Sequence, residues 1–333
     1  MSVGAAVHTR VVGTGHYVPA RVLDNHDLER MVQTSDAWIT ERTGIRARRI
    51  ADPGEVTSDL ATQAAKQALD AAGLDAAELD LILCATVTPD QPLPSTAMAV
   101  QAKLGVPHAC PCFDLAAACA GFIYGLAVAD AFIRSGQARR VLLVGVELLS
   151  RVVDWQERST CVLFGDGAGA VVLSGDASAG PRLCSTHIYG DGRHRQLLHI
   201  PAGGSAKPAS AATVAAREHY VAMEGQEVFK IAVKSLTAAS QAALQHNQLT
   251  PQQVDWVIAH QANLRIVEAV AKRCEIPLER FFLNIERYGN TSSASVPIVM
   301  DEATRQGQLQ PGQHVLLCAL GGGLAWGSAL LQW

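Results

Sequence analysis

Residues 113–122 read Phe113-Asp114-Leu115-Ala116-Ala117-Ala118-Cys119-Ala120-Gly121-Phe122, and the rest of the chain is organised around them. The run begins as a strand-like segment after Pro111, passes through alanines and reaches a cysteine. A helical pattern follows, in which Phe122, Leu126, Ala127, Ala129 and Phe132 recur largely at spacings of three and four. Cys119 is therefore expected at a helix N-terminus, where unpaired backbone N–H groups and the helix dipole favour a thiolate. Small neighbours leave room for a substrate beside the sulfur. Taken alone, a cysteine in an alanine-rich stretch reads as a buried core residue. Features elsewhere in the chain argue against that reading.

With 333 residues, 49% of them hydrophobic and 17% charged, the chain can form two ordinary domains or one large one around a sizeable core. A net charge of -4 gives no general reason to expect nucleic acid or an anionic membrane as partner. The eight cysteines lack any CxxC pair, and Cys110 and Cys112 are too close for usual zinc spacing, so no metal is expected. Several lie in apolar runs such as Leu81-Ile82-Leu83-Cys84 and read as the free thiols of a reducing compartment. Met1–Ala5 lacks the pattern of a secretory signal, and no apolar run approaches the ~20 residues of a membrane span. The expectation is a soluble, cytoplasmic protein.

Strand and helix patterns alternate: a helix over about Ser58–Ala72, a strand over Leu79–Val87, a helix over Ser95–Leu104 and a strand at Val141–Val146. Thr9–Gly15 reads as a first strand, but lacks the third glycine and the following helix of a dinucleotide fingerprint. Phe164–Gly169 reads as a glycine-rich turn running into a buried strand, and the Ala/Gly/Ser/Pro-rich stretch 201–214 as a loop. The second half then repeats the first. Leu74, Asp80 and Ala85 align with Leu249, Asp255 and His260 at a constant offset of 175 (249 − 74, 255 − 80, 260 − 85). Arg134-Ser135-Gly136-Gln137 before one strand echoes Arg305-Gln306-Gly307-Gln308 before another. The chain therefore reads as a duplicated α/β unit with halves 1–175 and 176–333.

In that register the strand Trp256–Ala259 delivers His260 at its C-terminal end, where ligands and catalytic groups collect in α/β sheets. Asn290 precedes the helix that matches the one after Cys119. Gly321-Gly322-Gly323 offers amides that can approach a reacting carbonyl. Each alone has an ordinary reading: a structural histidine, a turn asparagine, a tight turn.

Together they resemble the thiolase-like condensing enzymes, and most closely the 3-oxoacyl-[acyl-carrier-protein] synthase III family. The matching residues are Ala116–Phe122, His260-Gln261-Ala262-Asn263-Leu264-Arg265-Ile266, Gly289-Asn290-Thr291-Ser292 and Gly321–Gly327. Trp38-Ile39, Arg42–Arg46 and Phe164–Gly169 also match, and the resemblance runs from about Val11 to Trp333. It implies a layered α-β-α-β-α fold and an acyltransferase that needs no cofactor, with acyl-CoA and malonyl-acyl carrier protein as substrates. Cys119 would accept the acyl group, with the amides of Cys119 and Gly322 as oxyanion hole. His260 and Asn290 would donate hydrogen bonds to the enolate left by malonyl decarboxylation. Trp38 and Arg158 would hold the adenine of CoA, Arg42 its phosphates, and Asn263 would position His260 or the pantetheine arm. Arg265, Lys272 and Arg273 would face the acidic carrier protein, and the family is usually a homodimer, with residues near Leu93 reaching towards the partner's acyl pocket. The product, a 3-oxoacyl thioester, would initiate fatty acid synthesis.

Leu93, Leu320 and Leu324 stand where family members often have phenylalanine, and Gln226 where asparagine is frequent. Near an acyl pocket the leucines would admit a longer or branched primer, which keeps open a synthase III-like enzyme of a specialised secondary-metabolite pathway. A cysteine hydrolase using Cys, His and Asn in that chain order lacks its flanking motif here, and the duplication has no place in that fold. A non-catalytic condensing fold would have lost its nucleophile, whereas Cys119, His260 and Asn290 are all present.

Overall fold

A computed structural model describes residues 7–333; the N-terminal stretch Met1–Ala5, from which the absence of a secretory signal was read, lies outside the described residues. Nine strands form a mixed sheet: β1 (Arg10–Tyr17), β2 (Leu81–Ala85), β3 (Cys112–Leu115), β4 (Arg140–Leu148), β5 (Asp166–Ser174), β6 (Arg182–Gly190), β7 (Trp256–Ala259), β8 (His314–Gly321) and β9 (Ala325–Gln332). Their order is β7-β8-β9-β6-β1-β5-β4-β2-β3. The longer helices are α1 (Asp36–Thr43), α2 (Thr57–Ala72), α3 (Thr96–Leu104), α4 (Gly121–Arg134), α5 (Gly225–His246), α6 (Leu264–Cys274) and α7 (Ser295–Arg305).

The sheet is two copies of one pattern. In the first, β2 runs parallel to β4, β4 antiparallel to β5, and β5 antiparallel to β1. In the second, β7 runs parallel to β8, β8 antiparallel to β9, and β9 antiparallel to β6. Even β3 beside β2 has an echo, a parallel bridge from Val257 to Phe281. Between β1 and β6 the register holds one pair, Arg10 with Arg182. The aspartates at offset 175 have equivalent duties: Asp80 Oδ2 accepts from the N–H groups of Arg139 and Arg140, and Asp255 Oδ2 from that of His314.

Strand alternation sorts the apolar side chains into layers. On β4, Val141 and Leu143 face a middle layer, while Leu142, Val144 and Val146 face an outer one. On β8, Val315, Leu317 and Ala319 join the same middle layer, while Leu316, Cys318 and Leu320 face the opposite outer one. The middle layer is filled by α4 (Phe122, Ile123, Leu126, Ala129) and α7 (Val296, Val299, Met300, Ala303), which pack against strands of both halves. Helix α2 covers the outer face of the first half and α5 that of the second. The result is the α-β-α-β-α arrangement expected from sequence.

One local reading changes. The turn expected at the start of the Phe164–Gly169 run is limited to Phe164 and Gly165, because the buried strand it runs into, β5, already begins at Asp166. The chain is extended there because α7 crosses β5 closely: a Cβ at Gly169 would run into the backbone of Pro297 and Ile298. Phe122, fully buried at the centre of the middle layer, ties both halves together. Phe122→Ala is expected to cost about 3–5 kcal/mol of unfolding free energy, measured by urea denaturation; a loss below about 1 kcal/mol would contradict this core assignment.

Candidate active site

The duplication also builds the site. Residues 118–120 and 292–294 each form one turn of 3-10 helix, and each leads directly into a middle-layer helix, α4 or α7. The offset between the turns is 174 residues (292 − 118), and both open on a non-glycine residue in the left-handed region, Ala118 at φ 45° and Ser292 at φ 50°. Such backbone is costly for non-glycine residues and persists only where surroundings enforce it. Here the two turns pack against each other, and the C-terminal ends of β4 and β8 press on them crosswise. A Cβ at Gly145 on β4 would collide with the carbonyl of Ser293, and one at Gly321 on β8 with the amide of Cys119.

Cys119, His260 and Asn290 line one cavity of about 680 Å³, with Phe164 and Leu320 among its apolar walls. Trp38, Arg42, Asn263 and Arg265 line it as well. A second cavity of about 390 Å³ reaches Cys119 past Gly322, Ser292, Leu198 and Val87. The nucleophile position is thus approached by two separate spaces.

Burial dominates the electrostatics. It pushes the Cys119 thiol up to about 12; the Ser292 hydroxyl opposes that rise, and the charge of Glu147 adds to it. The expected bias of a helix N-terminus towards thiolate is therefore outweighed in the resting enzyme, because the sulfur sits in a desolvated turn. Burial also pushes His260 down to about 3, so its imidazole is neutral at physiological pH.

The neutral ring has a defined proton. Ser295 Oγ lies 2.6 Å from His260 Nδ1 and also accepts from the N–H of Gln261 at 3.4 Å. His260 Nδ1 is the one acceptor within reach of the Ser295 hydroxyl among the described residues, so that hydroxyl is assigned as donor to Nδ1, which places the histidine proton on Nε2. Nε2 is buried and has no hydrogen-bond partner among the described residues. Gln261, buried, braces the loop by donating to the carbonyls of Ala259 and Phe282 and accepting from the N–H of Asn284. Asn290 is held by its backbone, which pairs with Leu163 and Gly165, and its Oδ1 accepts from the N–H of Ser292 at 2.8 Å. Its Nδ2 is left to donate. The site therefore offers two neutral donors, His260 Nε2 and Asn290 Nδ2, in the cavity that holds the Cys119 thiol.

Two family models match, both described as 3-oxoacyl-[acyl-carrier-protein] synthase III, one over residues 113–192 and its C-terminal counterpart over 244–333. The beta-ketoacyl-[acyl-carrier-protein] synthase III of Thioalkalivibrio sulfidiphilus is 49% identical over 325 residues, 98% of this chain and 99% of that protein. The chain belongs to the 3-oxoacyl-[acyl-carrier-protein] synthase III family. The relative from Caldanaerobacter subterraneus is 50% identical, with 97% of each chain covered. The synthase III structure from Aquifex aeolicus superposes with a TM-score of 0.90 at 47% identity, covering 98% of this chain and all of that one. As a synthase III family member the chain is a condensing acyltransferase with the thiolase-like fold.

Of the residues expected from the family motifs, Leu324 and the Trp38–Arg158 pair sit differently within this chain. Leu93 is 84% exposed on the loop between Pro92 and Pro94 and lines neither cavity within this chain. Leu324 is 1% exposed and packs in the outer core, so of the three leucines only Leu320 faces a cavity. The Trp38–Arg158 slot is closed: the Arg158 guanidinium lies 4.7 Å from the Trp38 ring centre, with Arg42 at 4.9 Å from the same ring. A base can enter only if Arg158 swings outward. Asn263 caps α6 by accepting from the N–H of Arg265, while Lys272 and Arg273 lie exposed in the last turn of that helix. Ser295 and Glu147 carry polar contacts at the centre of the site that no motif singled out.

Ser295→Ala should slow the decarboxylation of malonyl-carrier protein by about tenfold or more, with Ser295→Thr restoring most of it, because the His260 tautomer is no longer enforced. With His260 held near 3, the wild-type decarboxylation rate should show no acidic limb from this residue between about pH 5 and 8. A limb near the ordinary histidine pKa of ~6.5 that disappears in His260→Ala, or an unchanged rate in Ser295→Ala, would contradict the assignment.

Proposed function

We propose that this chain transfers the acyl group of an acyl-CoA to Cys119 and joins it to the carbanion generated from malonyl-acyl carrier protein, giving the 3-oxoacyl thioester that starts fatty acid synthesis. The observation that carries this reading is the pair of neutral donors, His260 Nε2 and Asn290 Nδ2, sharing one buried cavity with the Cys119 thiol. Attack of sulfur on the thioester carbonyl places negative charge on oxygen, and the N–H groups of Cys119 and Gly322 receive it. After acylation the malonyl thioester enters, and loss of carbon dioxide leaves an enolate oxygen. His260 and Asn290 stabilise that oxygen without proton transfer, since a neutral donor in a dry site is stronger than in water and needs no reorganisation. A carboxylate in place of Asn290 would repel the developing charge. The carbanion then attacks the acyl-cysteine, and the sulfur departs as thiolate.

Trp38 and Arg42 line the same cavity and Arg158 stacks on the Trp38 ring, an aromatic face and guanidinium groups that suit the adenine and phosphates of CoA. Asn263 lines the path between them and His260. Arg265 lines that cavity in the first turn of α6, and Lys272 and Arg273 lie exposed in its last turn, positive charge that suits an acidic carrier protein. The exposed Leu93 loop is the part of this chain that a second copy would cover in a homodimer. The enzyme works in the cytoplasm; no helix among the described residues is long and apolar enough to cross a membrane.

Cys119→Ala should abolish acyl uptake from acyl-CoA. His260→Ala and Asn290→Ala should each keep acylation within about threefold of wild type while losing about a hundredfold or more in malonyl decarboxylation. Equal losses in the two half-reactions, measured with labelled acyl-CoA and labelled malonyl-carrier protein, would remove the basis for the assigned roles.

A further inference from the structure

Asn290 can donate to an enolate only while its amide is turned the right way round. A half-turn about the Cβ–Cγ bond exchanges donor for acceptor, so a fixed donor must face Oδ1 if Nδ2 is to face the cavity. The Ser292 N–H is that donor, at 2.8 Å from Oδ1. Ser292 opens the second turn at φ 50°, backbone that is costly for a residue with a side chain. Relaxation of the turn would carry the N–H away from Asn290. Whatever restrains Ser292 therefore also sets the amide.

The restraint comes from the other half of the chain. Glu147, the penultimate residue of β4, is fully buried. Its Oε2 accepts from Thr88 Oγ1 at 2.7 Å, from the Val87 N–H at 3.1 Å and from Thr86 Oγ1 at 3.3 Å. Thr88 Oγ1 accepts in turn from the Leu148 N–H at 2.9 Å, which fixes these donors to the same strand end. So anchored, the carboxyl presents Oε1 to the second turn, where it accepts from Ser292 Oγ at 3.2 Å. Ser293 Oγ lies 3.3 Å from the same oxygen, but its proton has a shorter partner in the Ala85 carbonyl at 2.8 Å. Ser292 thus makes both contacts, donating its hydroxyl to Glu147 and its N–H to Asn290.

We propose that Glu147 is a positioning residue for malonyl decarboxylation: by restraining the Ser292 hydroxyl it keeps the Asn290 amide with Nδ2 towards the oxygen that becomes the enolate. The inference rests on the condensing reading, in which Asn290 donates to that oxygen. A flipped amide would set two donors against each other at Ser292 and turn an acceptor on the enolate, so misorientation costs as much as loss of the side chain. The role asks residue 147 for reach and an acceptor, and no step uses its charge. Aspartate is shorter by one carbon, about 1.5 Å, which takes the Ser292 contact out of hydrogen-bond range. Glutamine keeps the length, and can turn its oxygen to Ser292 and its NH2 to the hydroxyls of Thr86 and Thr88.

The test measures decarboxylation of labelled malonyl-carrier protein beside acyl uptake on Cys119 from labelled acyl-CoA. The variants are Glu147→Asp, Glu147→Gln and Ser292→Ala, each alone and in an Asn290→Ala background. Ala118 occupies the equivalent turn position at φ 45°, so alanine tolerates this backbone, and acyl uptake counts the folded sites in every preparation. Glu147→Asp and Ser292→Ala should lower the kcat of decarboxylation by about tenfold or more while acyl uptake stays within about threefold. Glu147→Gln should recover most of what Glu147→Asp loses. In the Asn290→Ala background each change should add less than about twofold, since residues that act through one group are not additive. Wild-type decarboxylation in both Glu147→Asp and Ser292→Ala would overturn the proposal. So would Glu147→Asp faster than Glu147→Gln, a full tenfold loss on top of Asn290→Ala, or acyl uptake falling in step with decarboxylation. Wild-type decarboxylation in Asn290→Ala itself would overturn the condensing assignment of Asn290 and this inference with it. A large loss there, with none in Glu147→Asp or Ser292→Ala, would remove the positioning role alone.

Discussion

Removal of water governs this site. The two halves of the sheet close over α4 and α7, and the turns that lead into those helices are buried with them, together with a thiol, an imidazole and a carboxyl. Each responds in the direction desolvation demands: Cys119 and Glu147 upward, His260 downward. The uncharged forms of Cys119 and His260 are thereby favoured at neutral pH. That arrangement suits chemistry whose demanding moment is a transient oxyanion, because neutral donors in a dry pocket bind the charge when it forms and do not compete for it beforehand.

The duplicated architecture explains how one chain brings these groups together. Each half contributes a strand ending at the centre, β2 or β7, and a turn leading into a middle-layer helix. The halves have diverged at equivalent places. Where the first turn carries Cys119, the second carries Ser293, at the same offset of 174 that relates Ala118 to Ser292 (293 − 119). Where β4 carries Glu147, β8 carries Gly321 (321 − 147). Glu147 supports the turn after Asn290, while the bare Gly321 lets the other strand end approach the Cys119 amide. Asymmetric side chains on a nearly symmetric backbone thus divide nucleophile and enolate donors between the two halves.

The fold was legible because its signals are local or periodic. The offset between Asp80 and Asp255 reflects two carboxylates receiving equivalent strand-start amides, and the helix expected over Ser58–Ala72 is α2 with one further residue. Cys119, His260 and Asn290 were legible through motifs, and the structure gathers them in one cavity. Less was readable where a property depends on distant packing. The thiolate expectation followed from the helix start alone and ignored the burial that outweighs it. Ser295 reaches His260 across 35 residues and Glu147 reaches Ser292 across 145, separations at which no spacing rule operates. Leu324 turned inward because motif position does not determine which side of a wall a side chain faces.

The central claim is that Cys119 carries an acyl group that water cannot readily remove and that only a decarboxylated malonyl thioester discharges. Intact-mass spectrometry of the wild-type protein after mixing with acetyl-, isobutyryl- or octanoyl-CoA, and then with malonyl-carrier protein, tests it most directly. The account predicts one acyl adduct per chain on Cys119, persistent in buffer and lost on addition of malonyl-carrier protein with formation of the 3-oxoacyl carrier. Rapid release of CoA and free acid with no persisting adduct would contradict it, and would mark the enzyme as a hydrolase.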